Sequence, residues 1–242
     1  MKNTIVKSSL ALVAVTGSGM LAGFSCAPAA SAATTYTFTG ISDTLGGSSS
    51  YATAINDAGT IVGYARNATG LRRLAYSYSG GTMTNLGTLG GTGSYFAYGV
   101  NSSGEVVGDS GTGAFIYTTA GGMVNLGTLG GTGSYEATGV NSSGEVVGYA
   151  LTSGAAVRAF SYTTAGGVVN LGTLAGTSGS TATSINNSGE VVGYTYAGGL
   201  NTEAFSYTTA GGMVNLGTLA GTSGSEAFGI NSSGEVVGGG IY

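Results

Sequence analysis

The chain of 242 residues contains no His and no Trp, one Cys, one Pro, and charged side chains at only 7% of positions. Each shortage excludes something. Without imidazole, His-activated nucleophiles and the commonest metal ligand are out of reach. The single Cys26 cannot form an internal disulfide. One Pro (Pro28) and no G-X-Y period exclude a collagen-like rod, and 42% hydrophobic residues argue against a disordered chain. What is abundant is Gly, 49 residues, which suits turns and close backbone approach.

The first 32 residues read as a secretory leader. Lys2 and Lys7 make a basic start, Leu10 to Leu21 is mostly apolar, and Ala30-Ser31-Ala32 offers a cleavage triplet. The expected organisation is a leader over 1–32 and a single repeat domain over 33–242, secreted and with no transmembrane segment after cleavage. Cys26 falls inside the leader. A lipid-anchored cysteine usually has Leu three residues before it, and here that residue is Gly23, which argues against anchoring. The mature chain keeps four Arg against ten carboxylates, a net charge of −6, so nucleic acid is not an expected partner. A monomer is expected.

Internal repetition is the strongest signal. The pattern N-x-x-G-x-[IV]-V-G begins at Asn56, Asn101, Asn141, Asn186 and Asn231, with spacings of 45, 40, 45 and 45 residues. L-G-T-L begins at Leu86, Leu126, Leu171 and Leu216, each 15 residues before the next Asn. An Ala followed by an aromatic recurs at Ala75-Tyr76, Ala114-Phe115, Ala159-Phe160 and Ala204-Phe205.

Each unit reads as four short antiparallel strands. Small residues alternate before each Asn (Ala97 and Gly99, Ala137 and Gly139) opposite Val100 and Val140, a period of two. Asn101-Ser102-Ser103-Gly104 is a hairpin connection, and Glu105 opens the return strand. Ala114–Tyr117 and Met123–Leu126 supply the third and fourth strands around a Gly-containing turn. Four strands every 40 to 45 residues predict an all-β fold, a β-propeller of about five blades, with a parallel β-solenoid as the alternative. The strand with the small face is expected at the crowded axis, and Phe115, Phe160, Phe205, Tyr117, Tyr162 and Tyr207 in the core between blades. The fifth unit stops as its third strand begins, and Thr35–Ile41 is expected to complete that blade and close the ring.

The run Ala204-Phe205-Ser206-Tyr207, Gly212 to Leu219, Ile230-Asn231 and Gly234 to Gly238 resembles the bacterial extracellular HAF repeat family, over about residues 35 to 242. The resemblance implies a secreted protein and assigns no activity. The His of the name is replaced by Leu74, Gly113, Arg158 and Glu203, so no role resting on that imidazole carries over.

Two faces are candidate sites. The distance from the last Gly of V-V-G to the Ala of the third strand is 12, 6, 11 and 11 residues, whereas the other intervals are constant. That variable loop carries every Arg of the mature chain: Arg66, Arg72, Arg73 and Arg158. With Tyr51, Tyr95 and Tyr135 on the same face, these residues are the candidate ligand contacts. On the opposite face Glu105, Glu145, Glu190 and Glu235, with Asp57 in the first unit, stand beside the inner hairpins. Such a ring could suit Ca²⁺, although a solubilising charge copied along with its repeat is the favoured reading. No other cofactor is implied. Asp43, Asp109, Glu136, Glu203 and Glu226 are the carboxylates outside that ring.

The expected function is a non-catalytic extracellular scaffold that binds a glycan, polymer or protein through the loop face. The alternative is a structural component of a cell surface or matrix. A carboxylate-dependent glycoside hydrolase is a third reading, disfavoured because its acids should occupy unique positions, not repeated ones.

Overall fold

A computed structural model describes residues 3–7, 12–13, 36–41, 44–196 and 202–241. No helix occurs among the described residues, and the strands form successive antiparallel meanders. Near the N-terminus β1 (Asn3–Lys7), β2 (Leu12–Val13) and β3 (Tyr36–Thr39) make a three-stranded sheet in the order β2-β1-β3. The first repeat forms β4 (Gly46–Ile55), β5 (Ile61–Asn67), β6 (Arg73–Ser79) and β7 (Thr82–Asn85). The second forms β8 (Phe96–Val100), β9 (Val106–Asp109), β10 (Ala114–Thr118) and β11 (Gly122–Asn125). The third forms β12 (Gly130–Val140), β13 (Val146–Thr152), β14 (Val157–Thr163) and β15 (Gly167–Gly172), and the fourth β16 (Gly179–Ile185), β17 (Val191–Tyr196), β18 (Thr202–Thr208) and β19 (Gly212–Asn215). The fifth contributes β20 (Gly224–Ile230) and β21 (Val236–Ile241), a two-stranded sheet. Antiparallel pairing within every repeat excludes the solenoid.

The anticipated closing strand is placed elsewhere. β3 pairs in parallel with β1, from Asn3↔Tyr36 to Val6↔Thr39, and not with β21. The chain is already held at the first repeat two residues later, where Ile41 is buried against Ile61, Ala65 and Tyr76. The cleavage triplet and Cys26 lie outside the described residues.

The core consists of the seams between consecutive sheets. Val62, Ala75 and Leu86 of the first unit pack on Tyr95, Ala97, Val106 and Phe115 of the second; the next seam repeats this set, and the one after repeats it without the Tyr. The expected aromatics fill them: Phe115, Phe160 and Phe205 are fully buried, with Tyr117, Tyr162 and Tyr207 packed alongside. The Gly of V-V-G has a packing cause. A Cβ on Gly148 would stand 1.8 Å from the Glu136 carbonyl oxygen, and one on Gly108 would meet both the Phe96 carbonyl and the Phe115 ring. This close approach accompanies a bulge in each inner strand, where Thr53, Tyr98, Thr138, Thr183 and Phe228 are the extra residues.

The repeated Asn explains how the sheets lock. In the second unit the Asn101 side-chain oxygen accepts from the N–H groups of Ser103 and Glu105, fixing the hairpin. Its Nδ2 donates to the Asn141 carbonyl of the next unit at 2.9 Å. Asn56, Asn141 and Asn186 donate likewise to Asn101, Asn186 and Asn231. One side chain therefore closes its own turn and bonds its neighbour. A second ladder uses the bulge hydroxyls: Thr53, Thr138 and Thr183 donate to the carbonyls of Ala97, Ala182 and Ala227.

Candidate functional site

Directly opposed residues on the two inner strands of each unit share one face of the sheet. The pair next to the V-V-G glycine is Tyr51↔Tyr64 in the first unit, Phe96↔Asp109 in the second, Glu136↔Tyr149 in the third and Thr181↔Tyr194 in the fourth. The frame around these positions repeats, but their chemistry does not. The bulge beside each pair re-aims one more side chain, of which Tyr98 joins the row.

The first part of the row is aromatic. Tyr51 and Tyr64 stack with centroids 5.0 Å apart, Phe96 meets Tyr64 edge-on at 4.9 Å, and Tyr98 lies parallel to Phe96 at 6.1 Å. The Arg73 guanidinium sits 5.7 Å from the Tyr64 ring centre and 5.3 Å from that of Phe96, a cation over two π faces. The second part is acidic. Tyr149 donates its hydroxyl to Glu136, and Tyr98 lies close enough to feel the charge of that carboxylate. Burial, then the Glu136 and Asp109 charges, push the Tyr98 hydroxyl well above its ordinary value; burial and Glu136 do the same to Tyr149. Asp109 is raised to about 6, first by burial and then by the Glu136 charge, against a lowering hydrogen bond from the Gly111 N–H. The row continues to Tyr194, Thr181 and Tyr196, whose hydroxyl is 2.7 Å from Thr181 Oγ1.

Of the anticipated loop-face contacts, Tyr51 and Arg73 belong to this row. Tyr95 and Tyr135 do not. Both are buried in the seams, with the Tyr95 hydroxyl accepting from Leu89 N–H at 2.9 Å and that of Tyr135 donating to the Gly131 carbonyl. They take the seat that Ser180 and Ser225 occupy in later units. Arg66 donates to the Gly70 carbonyl within its own hairpin, Arg72 is exposed beside it, and Arg158 donates to the carbonyls of Val157 and Ser178 in the third unit, away from Arg73. The four Arg therefore do not form one patch.

The hairpin carboxylates do not converge either. Among the described residues no group of three His, Cys, Asp or Glu comes together. Glu105 accepts from Asn101 Nδ2 at 2.5 Å, and its carboxylate lies against Gly144 of the next hairpin, as Glu145 does against Gly189 and Glu190 against Gly234. Glu235 accepts from Asn231 at 2.6 Å. Their geometry is that of contacts between adjoining hairpins.

Phe96, Tyr98, Asp109, Glu136 and Tyr149 were not singled out as contacts from the sequence, although Asp109 and Glu136 stand apart from the repeated carboxylates. The signal that finds all of them except Tyr98, the bulge residue, is variation of residue type at two framework positions, the one before the inner-strand Ala and the one after V-V-G.

The fold is that of a β-propeller protein. No protein-family model and no curated protein matches the chain. Solved structures do. TolB from Acinetobacter baumannii aligns with a TM-score of 0.51 and 15% identity over 75% of this chain and 51% of its own. A putative TolB from Agrobacterium tumefaciens gives 0.54 and 14%, over 76% of this chain and 71% of its own. Virginiamycin B lyase from Staphylococcus aureus gives 0.51 and 15%, over 79% and 69%. The chain thus spans about half the length of the first of these. At such identities the likeness establishes the propeller fold alone. No helix among the described residues is long and apolar enough to cross a membrane.

Proposed function

We propose that the chain is a secreted, non-catalytic binding scaffold whose ligand is a glycan, held on the row from Tyr51 to Tyr149. The stacked aromatic surface running from Tyr51 through Tyr64 to Phe96, abutting the acceptors Asp109 and Glu136, carries this reading. A sugar ring presents an apolar C–H face and a polar hydroxyl rim, and an aromatic platform beside hydrogen-bond acceptors matches both. The leader-like start and the likeness to extracellular HAF repeats support the address.

A glycan array probed with the chain should show saccharide-selective retention. Tyr64→Ala and Glu136→Gln should each weaken it about tenfold or more, equivalent to about 1.4 kcal/mol, while Arg158→Ala leaves it unchanged. An array with no selective binding, or binding indifferent to Tyr64→Ala, rejects the proposal.

One observation favours a second reading. Asp109, whose carboxyl is raised to about 6 chiefly by burial, lies near a second carboxylate, Glu136, and a pair of carboxyls is what a glycoside hydrolase needs. Release of reducing sugar from an array-positive glycan, abolished by Asp109→Asn, would favour it over simple binding.

A further inference from the structure

Three of the four Arg in residues 33–242 meet in the first unit. Arg66 on β5 stands directly opposite Arg73 on β6, and both lie on the sheet face that carries Tyr64, two residues before Arg66. With Arg72, Gly70, Leu71 and Ser94 they line an open cavity of about 100 Å³. Like charges directly opposed across a sheet are destabilising. The frame does not impose this pair, because the same register position holds Leu151↔Val157 in the third unit and Tyr196↔Thr202 in the fourth. Nor is the charge neutralised. Arg66 donates to the Gly70 carbonyl at 3.0 Å, the Arg72 and Arg73 guanidinium groups make no hydrogen bond among the described residues, and no carboxylate there pairs with any of the three. The backbone around them is fixed all the same: Asn67 N–H donates to the Arg72 carbonyl at 2.9 Å, Asn67 Oδ1 accepts from Arg72 N–H, and Arg73 N–H donates to Ser94 Oγ.

We infer that this cavity is a subsite for an oxyanion, the carboxylate of a uronate or the sulfate of a sulfated sugar, so that the ligand of the aromatic row is an acidic glycan. The inference rests on the glycan reading proposed above and names the class of sugar. A guanidinium presents its N–H donors in a rigid fork and meets a carboxylate or sulfate with two of them at once. Arg73, held over the Tyr64 and Phe96 rings, joins the cavity to the platform, so a sugar lying on the rings has its charged substituent beside the three Arg. The cavity is far smaller than the ~300 Å³ of a pocket that encloses a whole ligand, which suits one substituent with the sugar ring outside it. Beyond Phe96 the row turns acidic at Asp109 and Glu136, which repel a second oxyanion and set the direction in which the glycan lies. Arg66 and Arg72 are exposed, so salt screens their attraction.

Calorimetric titration of the full chain with trigalacturonate and with its methyl ester, which keeps the sugar rings and removes the charge, tests this; sulfated maltotriose against maltotriose forms a second pair. In one pair or both, the acidic member should bind about tenfold or more tighter than its neutral counterpart, with the advantage shrinking at high salt. The pair that shows it tells carboxylate from sulfate. The double variant Arg66→Gln/Arg72→Gln, at two exposed positions, should keep the parent's circular dichroism and lose most of that preference, while Arg158→Ala retains it. Equal binding of acidic and neutral members, or a preference that survives the double variant, overturns the inference. So does tripolyphosphate binding as tightly as the acidic sugar, since the cavity then takes any polyanion. A neutral glycan bound through Tyr64 with no preference for charge sinks this inference and leaves the glycan reading standing, whereas no binding of any glycan sinks both.

Discussion

The third unit and the fifth share one repeat pattern and live in different surroundings. Val147 is 0% exposed because the fourth unit covers it; Val237, its counterpart, is 67% exposed. Asn141 spends its Nδ2 on the next unit's carbonyl, whereas Asn231 turns its own back to Glu235. Identical residues thus do different work according to whether a neighbour is present. A propeller unit has half a core of its own, and the rest arrives with the adjoining sheet.

That contrast can be broken most forcefully at the aromatics. Phe160→Ala should cost about 3–5 kcal/mol in urea unfolding, because a ring 2% exposed leaves a cavity in a closed seam. Phe228→Ala, at a ring 55% exposed, should cost less than about 1 kcal/mol. Equal costs would mean that the fifth unit is packed in solution after all. The Asn ladder gives a smaller difference. Asn141→Ala removes a hairpin clamp and a bond across the seam and should cost about 1–3 kcal/mol; Asn231→Ala removes only the hairpin contacts, at under about 1 kcal/mol. Matching losses would show that the inter-unit bond contributes nothing.

The smallest effect concerns charge. The folded chain keeps the Asp109 proton to about pH 6, while an unfolded carboxyl releases it near pH 4 (about 3.9). The folded state therefore binds the extra proton between those values, and stability contributed by this group is full below about pH 4 and lost as pH rises through about 6. Asp109→Asn should melt higher than the parent by on the order of 1–2 °C at pH 7.5 or so, the gap closing toward pH 4. A gap that persists at low pH would put its origin outside this titration.

The repeat frame was legible because it is written five times. The Asn-to-Gly hairpins, the Ala-aromatic third strands and the small-residue inner strands all stand where the period places them. The site was legible only in part, for a reason of register. Tyr51 stands one residue before its Ala, but Tyr95 and Tyr135 stand two before Ala97 and Ala137. Grouping the three by type slips the strand by one residue, and such a slip exchanges faces. Aligned on the Ala, Tyr51 falls with Phe96 and Glu136, the residues that do line the row. The seam-crossing half of each Asn was hidden for another reason, since its partner lies 40 or 45 residues away.

The chemistry of the paired inner-strand positions changes in every unit: two aromatics, then an aromatic and an acid, then an acid and a phenol. Near-copies of one sheet thus present a row of positions that differ from unit to unit, and on the proposed reading a glycan would meet a different wall at each. Saturation should come at one equivalent of saccharide per chain, in one orientation, without the avidity that repeated architecture ordinarily confers.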